Sequence, residues 1–262
     1  MKSAPEKTLD RALVWLRRDL RADDNAALYH ALCAARHVWV GFVFDRAILD
    51  ALPRADRRVE FIRDSLAGLE VQLREVAERA GVPGVALLVR HGSGADELPR
   101  LAQSLGVQAV YCNHDDEPYA LQRDAAVRGT LAGAGIALHT SKDHVIFERS
   151  EVLTQSGGVY GVFTPYKNAW LKKLDGFYLE AYPVERHAAA LAPPPPGVSA
   201  GVPALAAIGF ETTNLASLKI PAGPAGAQTM FADYLTRIDD YERTRNFPAV
   251  KGPSYLSTHL RF

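Results

Sequence analysis

Cysteine is scarce in this chain: of 262 residues only Cys33 and Cys112 carry a thiol. Two thiols so far apart make neither a disulfide framework nor a zinc motif, and such usage suits a reducing cytoplasm. Net charge is also missing, since 30 Lys and Arg balance 30 Asp and Glu. No global basic field therefore announces a nucleic-acid partner, although a local patch stays open. No apolar run approaches the length of a membrane span, and the opening Met-Lys-Ser-Ala-Pro-Glu-Lys lacks the apolar core of a signal peptide. A cytoplasmic protein without membrane contact is expected. The turn Gly92-Ser-Gly-Ala could hold a phosphate but lacks both the dinucleotide fingerprint and the Lys of a P-loop. The eight His include no pair at helical spacing, His139 and His144 being five apart, so no metal site is predicted.

What is present is apolar patterning. With 48% hydrophobic and 23% charged residues the chain can bury a substantial core and is long enough for more than one domain. Short apolar runs at 13–16, 37–44, 85–89, 109–112 and 136–139 read as strands. Helical patterns lie between them, the longest over 56–80 with Val59, Ile62, Leu66, Leu69 and Leu73 on an inner face and Gly81 and Pro83 at its end. Strictly repeated strand–helix units with continuous apolar strands predict a five-stranded parallel sheet covered on both faces: an α/β, doubly wound, Rossmann-like domain over 1–175. From 176 to 227 prolines at 183, 193–196, 203, 221 and 224 break the pattern, so this stretch reads as a connector that wraps a surface or is partly mobile. A helical pattern resumes over 231–244 with Leu235, Ile238 and Tyr241. The chain ends in mid-pattern with a helix predicted to start near Ser254, which predicts a fragment of something longer.

The stretch Val162 to Leu174 stands at the change of texture and reads as a hinge. Thr164 is expected to cap a helix beginning at Pro165, with Tyr166, Trp170 and Leu174 four apart on one face. The bland account of that aromatic stripe is a helix capping the core.

In doubly wound sheets ligands bind at the carboxyl ends of the strands. Three loops there are rich in chemistry: Arg17, Arg18, Asp19, Arg21, Asp24 and Asn25 after the first strand, Asp45 after the second, and Asn113-His-Asp-Asp-Glu-Pro118 after the fourth. A ligand across these ends would meet guanidinium groups and carboxylates from separate loops. The same residues would also serve as an internal ion-pair network with Asp24 and Asp116 as helix caps, and chemistry alone leaves both accounts standing.

Leu13-Val-Trp-Leu-Arg-Arg-Asp-Leu-Arg-Ala-Asp-Asp-Asn-Ala-Ala-Leu28 closely resembles the opening of the DNA photolyase and cryptochrome family. So do Phe163-Thr-Pro-Tyr-Lys-Asn-Ala-Trp170 and the closing Asp240-Tyr-Glu-Arg-Thr-Arg-Asn-Phe-Pro-Ala-Val250 with Gly252-Pro-Ser-Tyr-Leu-Ser257. Three motifs in order span the chain, and the likeness is nearest to bacterial cyclobutane-dimer photolyases. The resemblance implies the N-terminal portion of a monomeric, light-driven DNA repair lyase, with 228–262 as the start of an all-α FAD-binding domain. In that family reduced FAD passes an electron to a pyrimidine dimer flipped out of damaged DNA. By family position Tyr241, Ser254, Tyr255, Leu256 and Ser257 would contact FAD and Arg245 a DNA phosphate. Pro253 stands where Thr is frequent, removing a hydroxyl and an N–H. Most of the flavin cavity is expected to lie outside this chain, which would then be inactive alone.

The family's α/β domain often holds a second, light-harvesting chromophore. Folate-type members carry Asn-Glu where this chain has Tyr119 and Ala120, so a deazaflavin-type antenna is favoured. Arg18, Phe42, Asp45, Arg58, Asp115, Glu117 and Arg261 resemble its pocket. Two other functions compete: a cryptochrome-like blue-light photoreceptor on the same scaffold, and a plain nucleotide-binding α/β module, which explains the sheet but neither the hinge nor the Ser-rich terminal turn.

Overall fold

The structure is a computed structural model that describes residues 7–262. Five strands, β1 (Leu9–Leu16), β2 (Ala35–Asp45), β3 (Leu88–Gly92), β4 (Ala109–Asn113) and β5 (Ala137–Ser141), form one parallel sheet in the order β3-β2-β1-β4-β5. Helices α1 (Ala26–Ala34), α2 (Arg46–Leu49), α3 (Arg57–Arg79), α4 (Gly94–Leu105) and α5 (Pro118–Gly133) link them. Alternation along β1 builds both faces at once. Ala12, Val14 and Leu16 point into one apolar cluster with α1 and α3, whereas Leu13 and Trp15 point into the other with α4 and α5. The chain runs β1, β2, β3 to one side and then crosses to β4 on the other flank of β1, which opens a crevice above the carboxyl ends of the central strands.

The longest helix follows its sequence signals. Asp56 accepts from the backbone N–H of Arg58 at the start of α3. At its end Gly81, at φ 81°, carries the chain into a left-handed turn, with Gly81 N–H on Glu78 O and Val82 N–H on Ala77 O. Strand β3 begins three residues later than the apolar run at Val85. The Leu87 N–H is taken by the Glu70 carboxylate at 3.0 Å, and pairing with β2 starts only at Gly41↔Leu88.

The proline-rich connector is ordered by wrapping. Leu191 bridges Val38 and Gly201 bridges Leu88, the Trp39 indole donates to Pro193 O at 2.9 Å, and Val184, Ala188, Ile208 and Phe210 are buried against the first core cluster. Its short turns are 3-10 helices, the longest over Val184–Ala190.

Helix α6 (Phe163–Lys173) starts one residue before Thr164, and Val162 at its N-cap makes no side-chain cap bond. Thr164 is thus inside the helix and does not cap it. The predicted aromatic face does turn inward: Trp170 lies 5.6 Å from Phe147 and Tyr166 6.0 Å from Tyr160, ring to ring. The chain ends in α7 (Gly223–Leu235), α8 (Tyr241–Thr244) and α9 (Ser257–Arg261). Helix α7 begins eight residues earlier than the apolar pattern at 231, because Pro224 sits in its first turn, where no N–H is needed. Helix α9 begins three residues later than Ser254.

Candidate functional site

The loop after β1 is pinned by a buried polar clamp. Asn113, at the end of β4, donates to Asp19 Oδ2 at 2.6 Å and to Asn25 Oδ1 at 3.0 Å, and its own carbonyl oxygen accepts from Ala27 N–H at 2.9 Å. Asn25 caps α1 through Leu28 N–H, and Asp19 accepts from Arg17 N–H. All three side chains are buried, and together they satisfy polar groups that could not otherwise stand there. Asp24, expected as the cap, instead holds φ 45° and accepts from Tyr182 N–H. Asp116 does not cap α5 either; it pairs with Arg149.

Held by this clamp, the loop forms one wall of a cavity of about 300 Å³ above the ends of β1, β2 and β4. The floor is apolar, with Phe42 and Phe44 edge to face at 5.0 Å and Leu49 and Ile62 beside them. The rim is charged and paired. Arg18 lies 3.4 Å from Asp115 and 3.1 Å from Glu117, and its Nε donates to Arg261 O at 3.1 Å. Arg261 in turn reaches Glu117 at 2.6 Å. One wall is Trp15, covered on its ring by the guanidinium groups of Arg17 and Arg123, each 4.8 Å from the centroid. A single carboxylate, Asp124, bonds both cations. Two larger grooves, of about 470 and 550 Å³, share Arg21 and Asp143, which form an ion pair.

Asp45 occupies the most constrained place. Its Oδ1 accepts from Ala47 N–H at 3.2 Å and Gly94 N–H at 3.1 Å, and its Oδ2 from the Tyr119 hydroxyl at 2.7 Å. A Cβ at Gly94 would come within 2.6 Å of that carboxylate. The Gly92-Ser-Gly-Ala turn therefore already holds an anion from its own chain at the start of α4, which leaves no room there for a phosphate. Burial, then the bond and charge of Asp45, push the Tyr119 phenol up to about 12.

Of the seven residues singled out for one pocket, Arg18, Phe42, Asp45, Asp115, Glu117 and Arg261 line this cavity together. Arg58 does not: it folds back on Asp56 at 2.5 Å, at the outer end of α3. Trp15, Tyr119, Arg123 and Phe262 also line it and were not singled out. The signal for two of them was available, because Tyr119 and Arg123 stand four apart and share a face of α5. Tyr241, Ser254, Tyr255, Leu256 and Ser257 line none of the cavities above. Tyr241 packs on Tyr234 and under Arg245, Tyr255 has φ 58°, Ser254 accepts weakly from Leu256 N–H, and Ser257 opens α9. Tyr241, Arg245 and Tyr255 are exposed, so among the described residues these positions form an open surface that does not by itself enclose a flavin.

A family model described as DNA photolyase matches residues 12–193. An uncharacterized 31.6 kDa protein from Synechococcus sp. strain PCC 6716 is 34% identical over 260 residues, 95% of this chain and 84% of its own length. A deoxyribodipyrimidine photo-lyase from Synechococcus sp. strain PCC 6301 is 30% identical over 95% of this chain and 50% of its own length. Cryptochromes match too, among them a cryptochrome DASH from Natronomonas pharaonis, 30% identical over 95% of this chain and 52% of its own. The crystal structure of a class III photolyase from Agrobacterium tumefaciens superposes with a TM-score of 0.77 at 26% identity, over 99% of this chain and 52% of that one. The chain thus spans about half the length of the photolyases and cryptochromes it matches.

Proposed function

The chain belongs to the DNA photolyase family, and from that premise we propose that it supplies the chromophore-binding α/β part of a light-driven DNA repair lyase. The observation that carries the proposal is the cavity at the carboxyl ends of the strands, with its aromatic floor and paired ionic rim. A planar conjugated ring suits that floor, and the rim offers both donors and acceptors to polar substituents. Among antenna types a deazaflavin-type ring is proposed over folate. Arg18, Asp115, Glu117 and Arg261 would orient it, Phe42 would stack against it, and Asp45 would hold the wall through Gly94 and Tyr119.

The repair step belongs to the proposed whole assembly. FAD, when bound, supplies the electron that splits a cyclobutane pyrimidine dimer; this chain's share would be the positions Tyr241 and Ser254 to Ser257, with Arg245 facing DNA phosphate. The exposure of those positions favours a second wall contributed by further polypeptide, so the chain alone is expected to be inactive. The test is light-dependent loss of pyrimidine dimers from irradiated DNA by the assembly that includes this chain, with a dark control. Dimer loss only in the light supports a lyase. No loss, with light-dependent spectral change retained, would favour the cryptochrome-like photoreceptor, whose relatives also match.

For the cavity itself, titration with a deazaflavin should give a shifted absorbance and a rise in fluorescence anisotropy, whereas a methenyl-folate should give neither. Binding of the folate in preference would overturn the antenna assignment.

A further inference from the structure

The two oxidisable rings in the cavity wall stand in opposite electrostatic settings. Trp15 is buried, with two guanidinium groups each 4.8 Å from its ring centroid. Removing an electron from that ring would replace two attractive cation–π contacts by two repulsions, so Trp15 resists oxidation. Asp124, paired with both cations, softens this effect. Tyr119 is the reverse case. Its hydroxyl donates to Asp45 Oδ2 at 2.7 Å, and among the described residues that oxygen accepts no other hydrogen bond; the nearest cation, Arg123 Nη1, is 4.0 Å away. Backbone N–H groups hold Oδ1 and fix the carboxylate in place. A phenol loses an electron far more readily when a base within hydrogen-bond reach takes its proton at the same time.

We propose that Tyr119 and Asp45 make this cavity a photoreducing site, in which Tyr119 is the electron donor and Asp45 the proton acceptor toward a photoexcited flavin-type ring. The inference rests on the reading of the cavity as a chromophore pocket and goes beyond light harvesting. On excitation Tyr119 gives one electron to the ring, its O–H bond breaks, and the proton moves to Asp45 Oδ2. Tyr119 is left as a neutral tyrosyl radical, Asp45 as a carboxylic acid, and the ring is reduced by one electron. Return of the electron and proton restores all three, so no outside oxidant or reductant is consumed. The high phenol pKa agrees with this order, since Tyr119 stays protonated until its electron leaves.

The test uses riboflavin and its 5-deaza analogue as probes, with anisotropy reporting binding and time-resolved fluorescence reporting the excited state. Whichever probe binds should show a short lifetime and tyrosyl-radical absorption in the native protein. Its decay should slow in D2O, and Tyr119→Phe should lengthen the lifetime on the order of tenfold, as for a barrier raised by about 1.4 kcal/mol. Without any probe, Asp45→Asn should lower the Tyr119 titration toward that of a free phenol. Equal lifetimes in native protein and Tyr119→Phe would overturn the proposal while leaving the pocket intact. Failure of both probes to bind would overturn the pocket reading and this inference together. The D2O measurement needs no variant and decides the question should either substitution fail to fold.

Discussion

Helices α3 and α6 both carry an apolar stripe, yet one is locked into the sheet and the other lies half in solvent. Helix α3 buries Leu66, Leu69 and Leu73 completely against the first core cluster, whereas α6 buries no residue, and Phe163 at its start is 72% exposed. The same contrast separates the sheet layers from the C-terminal helices. The only buried residues of α7 are Gly223 and Gly226, and α9 has none. Helix α7 meets α3 by close backbone approach: Gly223 N–H donates to Ser65 Oγ at 3.0 Å, and a Cβ there would lie 3.4 Å from Ser65 Cα. One region is held by apolar side chains and the other by a few polar and backbone contacts, with Phe231, Phe247 and Leu260 left exposed. An exposed apolar surface of that kind suits a partner surface, which agrees with the proposal that further polypeptide completes the flavin side.

The sharpest way to break this contrast is to truncate one leucine on each side of it. Leu66→Ala empties a fully buried position and should cost about 2–5 kcal/mol of unfolding free energy. Leu235→Ala, at a residue half exposed on α7, should stay within about 0.5 kcal/mol. Urea unfolding of the two variants reads the difference directly, and equal losses would show that α7 is as much part of the core as α3.

The polar clamp comes next in size. Asn113→Ala removes two donors and an acceptor at a buried site; it leaves the Ala27 N–H unpaired, at an expected cost of about 1–3 kcal/mol, and takes from Asp19 Oδ2 its shortest hydrogen bond. Amide exchange should then accelerate in residues 17–25 before it does in β1. Uniform acceleration would mean that the loop and strand open as one unit.

A smaller and more local effect is expected at the helix junction. Gly223 has φ 75°, so Gly223→Ala should cost about 1–2 kcal/mol through that backbone conformation. Because α7 has no buried side chain, the loss should appear as faster amide exchange in α7 and α9 with the sheet's global unfolding unchanged.

Fold class was legible in the sequence because continuous apolar strands and capped helices are local signals, and all five strands stand where apolar runs stood. Boundaries slipped where a side chain overruled the pattern, as Glu70 does at Leu87 and Pro224 does at the start of α7. The loops with chemistry were legible from their place after the strands. Their wiring was not, since nothing local distinguishes Asp24, which bonds a distant backbone, from Asn25, which caps the helix. Arg58 went astray for a related reason: resemblance placed it in the cavity, but Asp56 two residues away captures its guanidinium. In the sequence Tyr119 marks a departure from one antenna type, and its bond to Asp45, 74 positions away, comes only from the fold.

That bond provides the finest test of how the two regions differ, because it ties α5 to the end of β2 through one hydroxyl. The folded-state pKa of Tyr119 is raised from 10.0 to about 12, so the folded chain holds the phenolic proton more tightly than the unfolded chain does. The associated stability is therefore fully present below pH 10 and is lost as pH rises from there through 12. Tyr119 is 39% exposed, and solvent screening keeps the free energy modest. Tyr119→Phe should flatten that part of the pH–stability curve while leaving the neutral-pH midpoint close to native. A titration near 10 in the native protein would mean that the hydroxyl is free of Asp45. Asp45 would then be held by the Ala47 and Gly94 N–H groups without the hydroxyl, and the case for a photoreducing pair would fall.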